Sequence, residues 1–479
     1  MTSENQTSGG GLVQLVGDEM TVPCIGRSDR RYVSLDAAAS TSAHPGVARR
    51  VEDFLPIYSS VHRGAGFKSQ ASTDSYEAAR NAALCFAGKQ VGAQLAPAEQ
   101  SQNPREDSTA IICRNTTEAI NHLAFRLNLT AADTVVTTVV EHHANLLPWR
   151  RYATCRYVEC AEDGTFTPDD VVSVLSIQPR PRLLAITAAS NITGWMPDLG
   201  RIIEEAHRLG IPVLVDAAQL VAHRPIPAQA DFVVWSGHKM YAPFGAGVLI
   251  GPKEQFRHGE PFLAGGGAVD LVDLDQVVWT EPPEREEAGS PNVLGAVALH
   301  AAIDELTQLG WSKIREHDDR IGDTMRAGLD AIRGVNVLGP SSDQGLLPVC
   351  TFTVEGVAHG LVAARLSAEF GIGVRHGCFC AHPYLTRLLH LSAEQLWVFR
   401  QQVMRKERHS IPGAVRASAG LSTSQDDIEY FLSSLEQVAS GSAPPVSYIQ
   451  DQVSGEFFPD PEVAPWYASG LARTACGRS

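Results

Sequence analysis

The sequence predicts an α/β protein: a large domain built on a mainly parallel sheet, followed by a smaller α+β domain. Three observations carry that expectation. Short apolar runs recur between residues 109 and 235, an amphipathic helical pattern closed by a glycine stands between two of them, and beyond about residue 310 the chain changes to long helices with strands between them. Apolar runs buried on both faces and joined by crossover helices imply parallel strands.

The runs are TAIIC (109–113), TVVTTVV (134–140), RLLAIT (182–187), IPVLV (211–215) and DFVVW (231–235). The crossover helix is LGRIIEEAHRLG at 199–210, with apolar residues at helical spacing and Gly210 as its stop. The later helices are WSKIREHDDRIGDTMRAGLDAI and AHGLVAARLSAEFG. Residues 56–309 are therefore assigned to the large domain and 310–440 to the small one, with 31–55 joining the small domain. Residues 1–30 and 441–479 read as peripheral tails, because they are rich in Gly, Ser, Thr and Pro with little apolar periodicity. The polar stretch at 89–108 reads as a surface loop.

The 479 residues, 44% of them hydrophobic, are enough for a large core. With 39 basic against 54 acidic side chains the formal charge is −15 and no Lys/Arg run stands out, so a nucleic-acid role is not expected. No apolar stretch is long enough to span a bilayer and the start lacks a signal-peptide pattern, so a cytoplasmic protein is expected. Nine cysteines scattered through the chain argue against a disulfide framework.

Each apolar run ends in a polar cluster: RNTTEAIN, EHHAN, AASNITG, DAAQ and SGHKMYAPFGAG. Ligands bind beyond the carboxyl ends of the strands in open α/β sheets, so these clusters form a candidate rim. Singly, each has an ordinary reading as a cap for the next helix.

Lys239 follows the last run directly, in SGHK. A desolvated lysine there loses its charge readily and forms a Schiff base with an aldehyde. Asp216, at the end of IPVLV, is suited to hold a proton on a pyridine nitrogen, and Gln219 in the same turn to donate to a phenolic oxygen. Those are requirements of a pyridoxal-5′-phosphate (PLP) site. The ordinary alternatives are a surface lysine and an N-capping aspartate.

The segments SLDAAAS (34–40), VHRG (61–64), NTTEAIN (115–121), EHHANLLPW (141–149), SNITG (190–194), VDAAQ (215–219), SGHKMYAPFGAGVL (236–249), EAGSPN (287–292), VRHGCFCA (374–381) and VRAS (415–418) together resemble the class V aminotransferase superfamily, fold type I of PLP enzymes. The resemblance is greatest to its cysteine desulfurase and selenocysteine lyase branch. It implies a large domain with a seven-stranded type of sheet, Lys239 as the Schiff-base lysine, Asp216 and Gln219 tuning the ring, and His142 stacked on its face. It further implies Asn191 near the phenolic oxygen and substrate, and Thr116, Thr117, Ser236 and His238 around the phosphate. For Thr117 a helix N-terminus supplies the physical reason. Ser290 matches a hydroxyl residue that reaches the phosphate from a neighbouring subunit, so a homodimer is implied. Arg416, Arg375 and His62 match substrate-side positions, although either arginine has an alternative as a surface ion pair and His142 as a structural histidine. No metal is implied.

The resemblance makes Cys380 the nucleophile that takes sulfur from cysteine and leaves alanine, with a sulfur-acceptor protein as a possible partner. His376, Arg375 and His382 are residue types able to lower a thiol pKa. Two features depart from the pattern. Cys378 adds a thiol that would face the same side as Cys380 in an extended segment, and the helical stretch 384–412 lengthens the connection to Arg416. Three readings follow: cysteine desulfurase or selenocysteine lyase, a relative carrying out C–S β-elimination or amino transfer, and a non-enzymatic sulfur-relay or metal-binding module using His376, Cys378, Cys380 and His382.

Overall fold

The computed structural model describes residues 10–62, 64–89, 108–341, 345–408, 410–462 and 464. Seven strands form the central sheet: β1 (Ser108–Cys113), β2 (Thr134–Thr138), β3 (Thr154–Val158), β4 (Leu183–Thr187), β5 (Val213–Asp216), β6 (Phe232–Ser236) and β7 (Gly247–Pro252). Their order across the sheet is β1-β7-β6-β5-β4-β2-β3. From β3 to β6 every pairing is parallel, and β7 alone runs against both of its neighbours.

All residues of β2, β4, β5 and β6 are buried, which is why those strands read as unbroken apolar runs. The helix Leu199–Arg208 crosses between β4 and β5, capped by the Asp198 side chain and stopped at Gly210, whose φ of 69° suits a glycine. It buries Leu199, Ile202, Ile203 and Ala206 against the sheet core. On the outer layer, Pro45–Phe54 and Phe67–Phe86 pack on Val293–Leu309, meeting through Phe54, Tyr76, Ala79 and Val297.

A second sheet of four antiparallel strands has the order Val335–Leu338, Val349–Val354, Ala414–Ser418, Arg375–Gly377. Helices Trp311–Ala331, His359–Phe370 and Gln425–Ala439 cover it and share a separate core with Ile321, Phe352, Leu366 and Phe431. Val33 and Leu35 enter the same core, and Val33–Ser34 pairs in parallel with Ile372–Gly373. Thr351 of this sheet donates its hydroxyl to the Ile192 carbonyl at 2.5 Å, fastening the second sheet to the loop after β4.

Both terminal segments are packed where they are described. Leu12 and Val13 donate their amides to the Leu421 carbonyl, and Leu15 is part of the main core. Tyr448–Gln450 and Phe457–Pro459 form a hairpin that lies on the helix His359–Phe370. Apolar side chains sparsely spaced along these segments, such as Leu15 and Ile25, suffice to dock them. Residues 90–107, nearly all of the stretch read as a loop, and Cys476 lie outside the described residues. None of the described helices is long and apolar enough to cross a membrane, and the described cysteines are free thiols.

Candidate active site

The carboxyl ends of the parallel strands and the edge of the second sheet enclose a cavity of about 220 Å³. Its walls include Thr116, Thr117, His142, Asn191, Asp216, Gln219, Ser236, His238, Lys239, Arg375, Cys380 and Arg416. Twelve predicted site residues thus meet in one place, drawn from five strand ends and the Arg375–Arg416 region.

Lys239 closes a single helical turn, Gly237–Lys239, directly after β6. Burial lowers its pKa to about 8, opposed by the Asp216 carboxylate and reinforced by Arg416 and Arg375. The amine therefore has a sizeable neutral, nucleophilic fraction near neutral pH. Asp216 ends β5; burial raises its pKa, while the Ala218 amide at 3.0 Å and Lys239 oppose that shift. A buried carboxylate facing the cavity is suited to a protonated ring nitrogen, which restores its charge balance.

His142 follows β2, and its Nδ1 accepts from the Ala144 amide at 3.1 Å. That bond places the ring proton on Nε2. Burial, then the nearby Lys239, push its pKa down to about 3, so the ring is neutral and fit to lie on an aromatic face. Glu141, immediately before it, is a buried acid with a pKa raised by burial to about 8. It accepts from Thr138 Oγ1, the Thr187 amide and Asn145 Nδ2 at 2.7–2.9 Å, binding the ends of β2 and β4 together. Sequence reasoning gave Glu141 no role.

At the opposite end the helix Thr116–Arg126 points its N-terminus into the cavity. Ser236 Oγ accepts from the Thr116 amide and lies 2.7 Å from Thr116 Oγ1. The Thr117 amide has no acceptor among the described residues. A free N–H at a helix terminus beside two hydroxyls and His238 is an anion cradle. Gln219 donates one amide hydrogen to the Ala38 carbonyl at 2.7 Å and keeps another for the cavity. The donor set therefore fits PLP from end to end: hydroxyls and amides for the phosphate, Lys239 for the aldehyde, Asp216 for the ring nitrogen and His142 for the face.

Arg416 is buried in the strand Ala414–Ser418, with Nη2 on Asp36 Oδ1 at 3.0 Å and Nη1 on the Asn191 carbonyl at 2.8 Å. Its Nε has no partner among the described residues. Arg375, more exposed, lies 3.4 Å from the other Asp36 oxygen. Asp36, in SLDAAAS, thus joins both arginines; nothing local in the sequence signals a pairing across 380 positions.

Cys380 opens into the cavity on a loop held by two bonds. The His143 amide donates to the Cys380 carbonyl at 2.7 Å, and Asn191 Nδ2 donates to the Phe379 carbonyl at 2.8 Å. Phe379 and Cys380 both take left-handed backbone, each with φ of 53°. That turn corrects the expectation for Cys378, which packs against the main core instead of sharing the face of Cys380. His376 is likewise turned away, its Nδ1 against His359 at 3.2 Å and its Nε2 on Glu456 at 2.8 Å. His382 stacks on His143 with rings 5.0 Å apart. These two histidines and two cysteines do not converge, and the described residues hold no metal-binding group of three or more such ligands.

His62 and Ser290 are not part of this cavity in the single chain. Both line a second one, of about 780 Å³, with Asp270, Thr280 and Glu284. Glu287, three residues before Ser290, anchors that wall through buried Arg80 at 2.7 Å and the Ile112 amide at 2.6 Å.

The fold and cavity define a class, and comparison with known proteins agrees: the chain belongs to the class-V aminotransferase family, whose model matches residues 33–431. The members of this class are PLP-dependent enzymes. Among its relatives, a probable cysteine desulfurase of Halalkalibacterium halodurans is 35% identical over 74% of this chain and 85% of its own length. A cysteine desulfurase of Dickeya dadantii is 33% identical over 84% and 91%. The apo cysteine desulfurase of Thermococcus onnurineus superposes with a TM-score of 0.72 at 29% identity, covering 86% of this chain and 95% of that one.

Proposed function

We propose that the protein is a PLP-dependent cysteine desulfurase, converting L-cysteine to L-alanine with a persulfide on Cys380. The observation that carries this reading is that Cys380 and Lys239 open into one cavity that also presents Arg416. The sequence similarity to cysteine desulfurases supports it.

When bound, PLP withdraws electrons from the substrate's Cα and so weakens the bonds around it. Arg416, helped by Arg375, binds the substrate carboxylate. Lys239, neutral in part near pH 8, takes the proton from Cα. Asp216 would hold the ring nitrogen in its protonated form, and His142, with its proton on Nε2, would pack on the cofactor and carry protons beside it. Cys380 Sγ, as thiolate, attacks the substrate sulfur: an S–S bond forms, the C–S bond breaks, and its electron pair stays on the substrate carbon. Protonation of that carbon gives alanine. The persulfide then passes to a thiol acceptor, in our reading a sulfur-acceptor protein. We infer a cytoplasmic homodimer in which Ser290, and with it His62, serves the other subunit's site.

The test is a substrate panel of cysteine, selenocysteine, cysteine sulfinate and S-substituted cysteines, with alanine, pyruvate and sulfide all measured. Alanine from cysteine supports desulfuration. Pyruvate in its place identifies a C–S lyase and overturns the reading.

A further inference from the structure

The C-terminal hairpin lies beyond residues 33–431, which the family model matches, yet it touches the strand that carries Arg375. That strand, Arg375–Gly377, is three residues long, stands at the edge of the second sheet and runs directly into the segment of Cys378 and Cys380. Among the described residues it pairs with the strand Ala414–Ser418 alone, so its outer row of backbone groups has no strand partner. Arg375 lines the candidate active-site cavity, and His376, next in the strand, points to the other face. There it meets the hairpin.

Four elements meet around His376 through one row of hydrogen bonds. His359, which opens the helix His359–Phe370, sets its Nε2 3.2 Å from the Ile411 carbonyl, at the end of the stretch that lengthens the connection to Arg416. Its Nδ1 lies 3.2 Å from His376 Nδ1, and His376 Nε2 lies 2.8 Å from Glu456 Oε2 on the hairpin. Gly413 leaves room for the His359 ring, since a Cβ there would come within 2.7 Å of Nε2. The hairpin's own turn fixes Glu456: Asp451 Oδ1 accepts from the Val453 and Ser454 amides at 3.1 and 2.6 Å, and Ser454 Oγ accepts from the Glu456 amide at 3.3 Å.

A carbonyl and a carboxylate can only accept, so His359 Nε2 and His376 Nε2 must both carry hydrogen. The bond between the two Nδ1 atoms needs one more. Two neutral rings hold two such hydrogens between them, so the complete row holds three and one ring is an imidazolium. Burial lowers the pKa of His359, opposed by the Ile411 carbonyl and reinforced by His376, which puts the charge on His376, beside the Glu456 carboxylate. The other charged side chains near the row are Arg408, which lines an adjoining cavity of about 280 Å³, and Arg375, which faces Asp36. The strand Val349–Val354 presents Thr353 and Val354 to that cavity, and neither titrates.

We propose that Glu456 and His376 are positioning residues for the substrate site: the C-terminal hairpin braces the edge strand that carries Arg375, through a row of hydrogen bonds that is complete only while the two histidines share one extra proton. The proposal rests on the reading above in which Arg375 helps to bind the carboxylate of cysteine. When the extra proton leaves, one of the three bonds goes with it, and the strand keeps its pairing to Ala414–Ser418 but loses its outer support. The brace is therefore in place where the histidine pair is protonated and is lost as the pH rises through the histidine range. The rest of the hairpin stays docked, because Tyr448 donates its hydroxyl to Glu369 at 3.0 Å independently of Glu456.

The test uses the PLP-loaded full chain and follows hydrogen exchange of the peptide 374–381 at about pH 6 and about pH 8.5, each variant against the parent at the same pH. Glu456→Ala should speed exchange by ~10-fold at the lower pH and leave it nearly unchanged at the higher. A glutamine side chain can donate to a neutral His376, so Glu456→Gln completes the row with no extra proton. It should protect the peptide at both pH values, and beyond the parent at the higher one. In Glu456→Ala at about pH 6, KM for cysteine should rise by ~3- to 10-fold with a smaller change in kcat, since Cys380 keeps its own bonds through His143 and Asn191. Unchanged exchange in Glu456→Ala at about pH 6 overturns the brace, and a Glu456→Gln chain that keeps the parent's pH dependence overturns the shared proton. A parent chain that releases no alanine from cysteine overturns the desulfurase reading, while the exchange data still decide the brace.

Discussion

Arg416 Nη2 lies 3.0 Å from Asp36 Oδ1, so the guanidinium assigned to the substrate carboxylate is engaged by a carboxylate of its own chain. Asp36 holds the arginine in place and at the same time brings a negative charge to the substrate's anionic end. Replacing it by asparagine keeps an acceptor oxygen and removes the charge. Asp36→Asn should therefore lower KM for cysteine by ~3-fold or more, whereas Arg416→Gln should raise it by ~10- to 100-fold, the equivalent of a lost charged hydrogen bond. Steady-state kinetics on the two variants check both directions.

The two cysteines of the GCFC segment should separate cleanly. Cys380→Ser is expected to keep the cofactor spectrum and to bind cysteine, yet form neither persulfide nor alanine. Cys378, half-buried, packs against the core as a small apolar group. Cys378→Ser should retain most of the turnover and cost about 1 kcal/mol of stability, read from denaturant melts.

The lowered pKa of Lys239 has a sign that can be measured. The folded protein holds this amine at about 8, against an ordinary value of 10.5, so it gives up its proton earlier than the unfolded chain does. Apo-enzyme should take up PLP faster as the pH rises through about 8, following the neutral amine, and should show no inflection near 10. The protonated amine disfavours the folded apo state below about pH 8. That penalty fades between about 8 and 10.5, so Lys239→Met should stabilise apo-enzyme at pH 7 and lose its advantage at high pH.

Asn191 fastens the cysteine loop through its bond to the Phe379 carbonyl and supports Arg416 through its own carbonyl. Asn191→Ala leaves the Phe379 carbonyl without its partner and should cost ~1–3 kcal/mol. Faster alkylation of Cys380 by iodoacetamide, at unchanged alkylation of Cys378, is the expected sign of a loosened loop.

Much of this arrangement was legible in the sequence because burial on both sheet faces writes unbroken apolar runs, as in β4 and β5, and because Asp216 and Lys239 stand at the ends of such runs. The strand β3 was not legible. It is the sheet's edge, only its Val158 is buried, and TCRYV carries no clear period. β7 starts on a glycine that approaches the Asn115 backbone, where a Cβ would come within 2.6 Å, and its antiparallel direction follows from a short return that the βαβ rhythm does not announce. Asp36 escaped because its partners are distant in the chain. The left-handed turn at Phe379 and Cys380 escaped because neither residue type signals it, and it is that turn which separates Cys378 from the site.

A single turnover of the PLP-loaded enzyme with cysteine, followed by mass analysis of the peptide containing Cys380 and by alanine measurement, tests the account most directly. The expected result is one alanine for each persulfide, with the added sulfur on Cys380 and none of it when Cys380 is replaced by serine. Alanine released at a normal rate by the serine variant, or pyruvate with no sulfur on Cys380, would contradict it.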